Sequence, residues 1–190
     1  MTALIIFAVL VIVVIGLLFW AVSAYNTLVR QRNQVQAASA QIDVQLKRRH
    51  DLIPNLVETV KGYAGHEQGT LDAVVRARAS AVAANGAPAA ERAAAEGELS
   101  AVLSRLLAVS EAYPDLKANQ NFLALQEELT GTESKIAFAR QFYNDQVMLL
   151  NTLIGSFPSN VVAKAFGFGP REFFDIEDPV REPSQVEFPR

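Results

Sequence analysis

The chain has 190 residues, of which 51% are hydrophobic and 19% are charged, and its formal net charge is −3. These values exclude a disordered chain, a multi-span transporter and a strongly basic nucleic-acid-binding protein. The chain contains no cysteine, which excludes disulfide frameworks, zinc ribbons and thiol nucleophiles. All charged side chains lie at or after Arg30, so the N-terminal segment differs in kind from the rest of the chain.

The first predicted element is a membrane-spanning helix. Residues 3–24 carry no charge, and a helix of that length covers about 33 Å against a hydrocarbon core of about 30 Å. Trp20 and Tyr25 lie at its C-terminal end, where aromatic rings favour the headgroup layer. A cleaved signal peptide would need a basic start and a shorter apolar run. We therefore predict that residues 1–24 are an uncleaved single-pass anchor, which contacts the lipid bilayer through residues 3–24.

The basic residues near this anchor indicate its orientation. No Lys or Arg precedes the apolar run, whereas Arg30 and Arg32 follow it closely. Because loops rich in Lys and Arg stay in the cytoplasm, the positive-inside rule favours a cytoplasmic location for the residues that follow the anchor.

The next predicted element is a long helix that continues from the anchor without a turn. Two interleaved seven-residue series, mostly apolar, cover residues 25–63, which is the pattern of a helix packed lengthwise on partners, as in a coiled coil. Pro54 conflicts with this helix because proline lacks a backbone donor and clashes with the preceding turn. We expect a kink near Asp51, with Asp51 capping a restarted helix. The two series are Leu28, Val35, Ile42, Arg49, Leu56 and Tyr63, and Tyr25, Arg32, Ser39, Leu46, Ile53 and Val60.

Turn signals divide the following residues into three more predicted helices. Glycines end the long helix, an Asn-Gly-Ala-Pro turn follows at residues 85–88, and a Tyr-Pro-Asp turn follows at residues 113–115. The fourth helix runs from Asn119 to Ile154. No window alternates with a period of two residues for long enough to predict a strand. The predicted fold is all-α, with the transmembrane helix continuing into an antiparallel four-helix bundle over residues 25–157.

The C-terminal residues form two smaller predicted regions. Residues 158–174 contain a short helix over Ser159–Ala165 and a glycine-containing loop. Residues 175–190 contain several prolines and more carboxylates than bases, so we predict a disordered or surface-draped acidic tail there.

Several strings in the chain resemble the LemA family of bacterial membrane-anchored helical proteins. The run from Asp51 to Val57 is too specific for a generic bundle sequence, and the similarity covers residues 25–190. Residues 85–100 depart from the pattern, as a variable loop would. The matching strings are residues 25–29, 42–58, 60–64, 113–119, 125–129, 166–168 and 186–188, with the pairs Thr132-Glu133, Ala139-Arg140 and Tyr143-Asn144.

The resemblance implies an N-terminal anchor or lipoprotein signal followed by an antiparallel helical bundle in the bacterial envelope. It implies no established enzymatic activity, cofactor or substrate. Because this chain lacks the cysteine of a lipobox, its own charges indicate its sidedness, and the expected location is the inner membrane. Relatives often neighbour genes for membrane metalloproteases or extracytoplasmic membrane proteins, which suggests that the family binds partners.

The residues form no catalytic constellation. His50 and His66 lack the spacing of a helical zinc site, and neither follows a glutamate at the position that a di-iron bundle requires. The chain has neither a phosphate-binding loop nor a nucleophile elbow. Capping, ion pairing and solvation account for carboxylates such as Glu58 and Glu133. We therefore predict a protein that is not an enzyme and has no cofactor, metal, small-molecule substrate or nucleic-acid partner.

Polar residues within and beside the apolar series of the two long helices are the candidate site. One interpretation is a buried hydrogen-bond network that sets the register of the helices. The other is a polar groove that binds a partner helix or peptide. The candidate residues are Arg32, Arg49, Asp51, Asn55, Glu58, Glu133, Arg140 and Asn144.

The expected function is that of a membrane-tethered, non-enzymatic scaffold or adaptor for other envelope proteins. One alternative is a self-assembling protein that organises the membrane locally. Another is a regulator that changes the activity of a neighbouring membrane protease without acting itself.

Overall fold

The computed structural model describes residues 1–64 and 66–174. Every regular element in these residues is a helix, which confirms the all-α fold. The predicted acidic tail over residues 175–190 lies outside the described residues. The helices are α1 (Thr2–Lys61), α2 (Gln68–Ala83), α3 (Ala89–Ser110), α4 (Pro114–Lys117), α5 (Gln120–Gly155) and α6 (Ser159–Ala165).

The helix ends follow local sequence signals. Between α2 and α3, Gly86 has a φ of 90°, a conformation that favours glycine. The side chain of Asn119 accepts a hydrogen bond of 3.0 Å from the backbone amide of Phe122, which satisfies a donor at the start of α5. At the end of α6, Gly167 has a φ of 70°, and the amide of Phe168 donates to the carbonyl of Ala163 at 2.9 Å. This last arrangement is a glycine-based helix C-cap.

The predicted restart of the long helix at Asp51 is wrong, because α1 is unbroken through Pro54. Asp51 lies within the helix and accepts a bond of 2.6 Å from Lys47 four residues earlier. A proline in a helix costs about 3 kcal/mol. Ile53 and Leu56 beside it are almost fully buried, and burying each contributes about 1.5–3 kcal/mol. Packing of the helix therefore offsets the local cost of the proline.

The chain divides into two compact units, and α1 and α5 each contribute to both. Among the described residues, unit 1 contains residues 1–52 and 124–173, and unit 2 contains residues 53–64, 66–123 and Phe174. The predicted division into an anchor, a single bundle, a short helix and a tail stays a prediction.

Within unit 1, α1 and α5 run antiparallel. The side chain of Gln31 donates to that of Gln146 at 2.9 Å, and Arg49 donates to Glu133 at 2.6 Å, so the numbering falls on α5 as it rises on α1. The wider arrangement of four antiparallel helices stays a prediction. One core cluster of unit 1 consists of Leu28, Val35, Val147, Leu150, Val162 and Ala163.

Within unit 2, α2 and α3 pack against each other. Two polar contacts join residues of this unit that are distant in the chain. The phenol of Tyr113 donates to Glu67 at 3.1 Å, and Asn119 donates to the phenol of Tyr63 at 2.9 Å. Buried apolar residues of this unit include Ile53, Leu56, Val60, Leu71, Val74, Leu99, Leu103, Leu106, Leu116 and Phe122.

The first third of α1 is exposed along its length. Residues 1–20 are all exposed, although nearly all of them are apolar. Among the described residues, α1 is the one helix that is long and apolar enough to cross a membrane, and its apolar window buries nothing in the protein itself. The chain therefore has one candidate transmembrane helix, at its N-terminus.

Candidate functional site

The most deeply buried polar contact of unit 1 joins α1 to α5. Arg49 is fully buried, and its guanidinium donates to the carboxylate of Glu133 at 2.6 Å. Arg49 lies in the apolar series at the position between Ile42 and Leu56, which places it in the core. Thr132, beside Glu133, is also buried, and its hydroxyl donates to a carbonyl of its own helix. The contact between Arg49 and Glu133 joins a buried cation on α1 to a carboxylate on α5.

The other predicted residues lie in different surroundings. Arg32 is exposed, with its guanidinium 5.4 Å from the ring centroid of Phe168, and Asp51 is exposed beside Lys47. Arg140 and Asn144 are half-buried on α5. Asn55 and Glu58 belong to unit 2 and are exposed, with Glu58 3.9 Å from Lys61. Of the eight predicted residues, the structure pairs Arg49 with Glu133 directly.

A groove that the sequence analysis missed lies between α1 and α5 in unit 1. It encloses about 530 Å³. Its most exposed apolar side chains are Val44 on α1 (62% exposed) and Phe138 on α5 (73% exposed). Each helix carries an exposed apolar stripe, formed by residues 37, 40 and 44 on α1 and by residues 138 and 142 on α5. The three- and four-residue spacing of these apolar residues is the sequence pattern that could have predicted the groove. The lining residues are Ala37, Ala40, Gln41, Val44, Gln45, Lys135, Phe138, Ala139 and Phe142.

A second, polar recess of about 460 Å³ opens beside the same helices. Arg32, Tyr143 and Arg171 contribute to its lining. The phenol of Tyr143 donates to the carbonyl of Glu172 at 3.0 Å, which ties the segment after α6 to α5. Two guanidinium groups and neutral polar side chains make the recess suited to an anionic group.

One described side chain of unit 2 has a shifted pKa. Desolvation raises the pKa of Tyr113 above its ordinary value of 10.0, and the hydrogen bond to Glu67 and the negative charge of that residue raise it further. The neutral phenol is therefore the form that this contact favours. Within residues 1–64 and 66–174, no group of three or more histidine, aspartate or glutamate side chains is placed to hold a metal ion.

These features define a class of protein, namely an all-α protein with one candidate transmembrane helix among the described residues and a buried arginine that pairs with a carboxylate on a second long helix. The chain belongs to the LemA family, whose sequence pattern matches residues 38–188.

Individual relatives agree with this membership. The chain is 28% identical to Protein LemA of Metamycoplasma hominis, over 80% of this chain and 70% of the relative. It is 28% identical to Magnetosome protein MamQ 2 of Paramagnetospirillum magneticum and 24% identical to Magnetosome protein MamQ of Magnetospirillum gryphiswaldense. Both of these matches cover 79% of this chain but 64% of the relative, so the chain spans less than two thirds of the MamQ proteins. None of these names denotes an enzyme.

Proposed function

We propose that this protein is a membrane-tethered, non-enzymatic scaffold that binds an amphipathic helix of another envelope protein in the groove between α1 and α5. The observation that carries this proposal is the exposure of Val44, Phe138 and Phe142 on one continuous apolar surface. Contiguous apolar surface is costly to expose to water and commonly marks an interaction site.

The lining of the groove indicates the chemistry of its occupant. A helix that lays an apolar face into a groove places anchors at every third or fourth residue, which suits the two exposed apolar stripes here. Lys135 is the charged residue of the lining, and Gln41 and Gln45 supply amides. A partner helix with an apolar face and a carboxylate at its edge therefore complements this surface in both polarity and charge.

The apolar N-terminus of α1 supplies the tether. Val44 lies about 30 Å beyond Ala24 along the helix axis, which carries the groove clear of the headgroup layer. Arg30 and Arg32 favour a cytoplasmic position for the groove, at the inner membrane of a bacterial cell.

The polar residues of the core take a structural role in this proposal. Arg49 and Glu133 set the register of α1 against α5, and this register places Val44 opposite Phe138. A buried ion pair is weak evidence for stability but is a known device for register. Arg32, Asp51, Asn55 and Glu58 lie outside the groove lining.

Site-specific photocrosslinking in native membranes tests the scaffold proposal. A photoreactive amino acid replaces Phe138 or Val44 in the full chain, and Val75 or Val82 on α2 serves as an exposed apolar control. We expect both groove positions to crosslink to the same membrane protein and both controls to leave it unlabelled. The partner, once identified and purified, should bind the full chain, and Phe142→Gln should weaken that binding about tenfold or more, because one buried aromatic anchor contributes over 1.4 kcal/mol.

The other outcomes separate the alternatives. Crosslinks from the groove to a second copy of this chain would replace the scaffold with the self-assembling protein. Adducts to lipid alone, or equal labelling from groove and control positions, would overturn the proposal.

A further inference from the structure

Two segments of unit 1, namely residues 1–29 and residues 146–170, are almost free of charged side chains. Residues 1–29 contain no charged side chain, and residues 146–170 contain one, Lys164. The second segment includes the end of α5, all of α6 and the loop that follows. A run of this length with a single charge is unusual for a helix pair in water, where one face carries charges.

Contacts fix α6 beside the candidate transmembrane part of α1. Residues of α6 and Phe166 line an apolar groove of about 400 Å³ together with residues of α1 from Val14 to Ala21. The ring of Tyr25 lies 4.8 Å from that of Phe166 and 5.8 Å from that of Phe168, measured between centroids. These aromatic pairs hold the end of α6 against α1.

The position of these contacts along α1 sets their depth in a bilayer. A hydrocarbon core of about 30 Å needs about 20 helical residues, so a span that begins at Ala3 still lies in hydrocarbon at Val14 and Leu17. Side chains that contact this part of the helix cannot lie in bulk water. Because α6 lines the same groove as Val14, Leu17 and Ala21, α6 comes to the level of the membrane boundary or below it.

The outer surface of this region suits lipid. Phe157 is 83% exposed and Val161 is 58% exposed, and both Phe166 and Met148 are exposed as well. Trp20 and Tyr25 lie on α1 close by, in the position of an interfacial aromatic belt. Lys164, in the last turn of α6, can extend its ammonium group to lipid phosphates while its alkyl chain stays in apolar surroundings.

Three polar side chains of the same region pair with backbone groups of the protein, whereas the buried side-chain oxygen of Asn160 on α6 has no such partner among the described residues. Asn151 donates to the carbonyl of Arg171 at 2.9 Å and accepts from its amide at 2.8 Å. The hydroxyl of Ser159 donates to the carbonyl of Leu153 at 2.6 Å, and that of Thr152 donates to the carbonyl of Met148 at 2.8 Å. Internal pairing of this kind is what a medium without water requires.

We propose that α6, with the end of α5 and the loop to Phe168, is a second membrane contact that lies in the interface of the same bilayer leaflet as the C-terminal end of the span. The inference rests on the proposed insertion of α1 into the membrane. The bilayer is the occupant of this apolar surface because the surface is continuous with the apolar helix that inserts. The protein therefore holds the bilayer through one span and one short interfacial helix.

The absence of native cysteine allows a direct test. The full chain is reconstituted into vesicles of phosphatidylcholine and phosphatidylglycerol, with a single cysteine that carries an environment-sensitive fluorophore. The test positions are Phe157, Val161 and Phe166. Val9 in the apolar helix reports insertion of the span, and Val75 and Val82 on α2 are exposed apolar controls. Each label is quenched in turn by iodide in the water and by nitroxide groups attached to the lipid chains.

We expect labels at the three test positions to shift their emission to the blue and to be quenched by the lipid nitroxides, while labels at the α2 controls respond to iodide. Iodide quenching at the test positions, with lipid quenching at Val9, would overturn the second contact and leave the tether intact. Iodide quenching at Val9 as well would overturn the proposed membrane tether itself. Protection of the test positions from both quenchers would show that protein covers them, which also contradicts the proposal.

Discussion

Residues 146–170 of unit 1 and the α2–α3 pair of unit 2 are both largely helical, yet they differ in how much charge they carry. Residues 146–170 carry one charge, whereas α2 and α3 carry charged residues of both signs along their length. On α2 and α3 the buried residues are mostly apolar and most charged residues are exposed or half-buried, as expected for a helix pair in water, although Glu96 on α3 is buried. Both regions are helical, so it is their charge content and not their secondary structure that separates the proposed lipid-facing surface from the α2–α3 surface.

The largest expected effect tests whether the core of unit 1 depends on its buried ion pair. Arg49→Ala removes a fully buried side chain and opens a cavity, while the partly exposed Glu133 can still be hydrated, so we expect a loss of about 2–5 kcal/mol in the free energy of unfolding. The measurement is urea unfolding of the full chain in mild detergent, followed by circular dichroism.

The control for this prediction is Arg48→Ala at the preceding residue. Arg48 contacts Glu128 at 3.4 Å with both side chains half-exposed, and such a pair contributes about 0–1 kcal/mol. Equal losses in the two variants would contradict a structural role for the buried pair. Arg49→Leu should recover much of the loss, because an apolar residue of similar size can replace a buried ion pair.

The second largest expected effect tests the packing of the α2–α3 pair. Leu106 on α3 is fully buried, and Leu106→Ala should cost about 3 kcal/mol through lost apolar burial and the cavity left behind. The matched change Val75→Ala, on the exposed face of α2, should alter stability by less than about 0.5 kcal/mol. The same unfolding assay checks both values, and a small loss for Leu106→Ala would contradict this description of the core.

A charge placed on each surface distinguishes the two regions directly. Val161→Asp puts a carboxylate on the proposed lipid-facing side of α6, where its cost should stay below the about 2.5–3.5 kcal/mol of the membrane centre. We expect a fluorophore at Phe157 to lose much of its lipid quenching in this variant. Val75→Asp puts the same charge on the water-facing side of α2 and should leave that quenching unchanged. If Val161→Asp leaves the lipid quenching of a fluorophore at Phe157 unchanged, the proposed difference between the two surfaces is wrong.

A smaller effect is expected at the start of α5. Asn119→Ala removes the side-chain acceptor for the amide of Phe122 and should destabilise the protein by about 1 kcal/mol. Asn121→Ala changes the same residue type at an exposed position within the helix and should be neutral or slightly stabilising. Unfolding curves of the two variants measure the contribution of the cap, and equal curves would contradict it.

The smallest effect concerns the pH dependence of the contact between Tyr113 and Glu67. Because burial raises the folded pKa of Tyr113 above the unfolded value of about 10, the stability linked to the neutral phenol is fully present below that value and is lost as the pH rises through the folded pKa. Tyrosinate absorbance should show a step above 10.0 that Tyr113→Phe removes. Glu67→Gln should move this step to lower pH, since it removes a negative charge beside the phenol. A step that stays in place would contradict the pairing.

Local rules predicted the positions of the helices well. The proposed short helix coincides with α6, and the turn at residues 85–88 separates α2 from α3, but Pro114 and Asp115, predicted as part of a turn, begin the short helix α4. These signals depend on neighbouring residues in the chain, namely glycine conformation, proline placement and capping side chains. Pro54 is the exception, because its effect on α1 depends on how tightly the residues around it are packed.

The sequence by itself determined the all-α fold, the apolar N-terminal helix and the positions of most helix ends, because each depends on residues close together in the chain. It also identified Arg49 as a polar interruption of the apolar series and included Glu133 among the candidate polar residues. Only the tertiary structure paired these two residues, left Arg32 exposed, formed the groove at Phe138 and placed α6 beside the apolar part of α1. Periodicity shows which face of a helix is apolar, but the packing of the whole chain decides which face of another helix lies opposite.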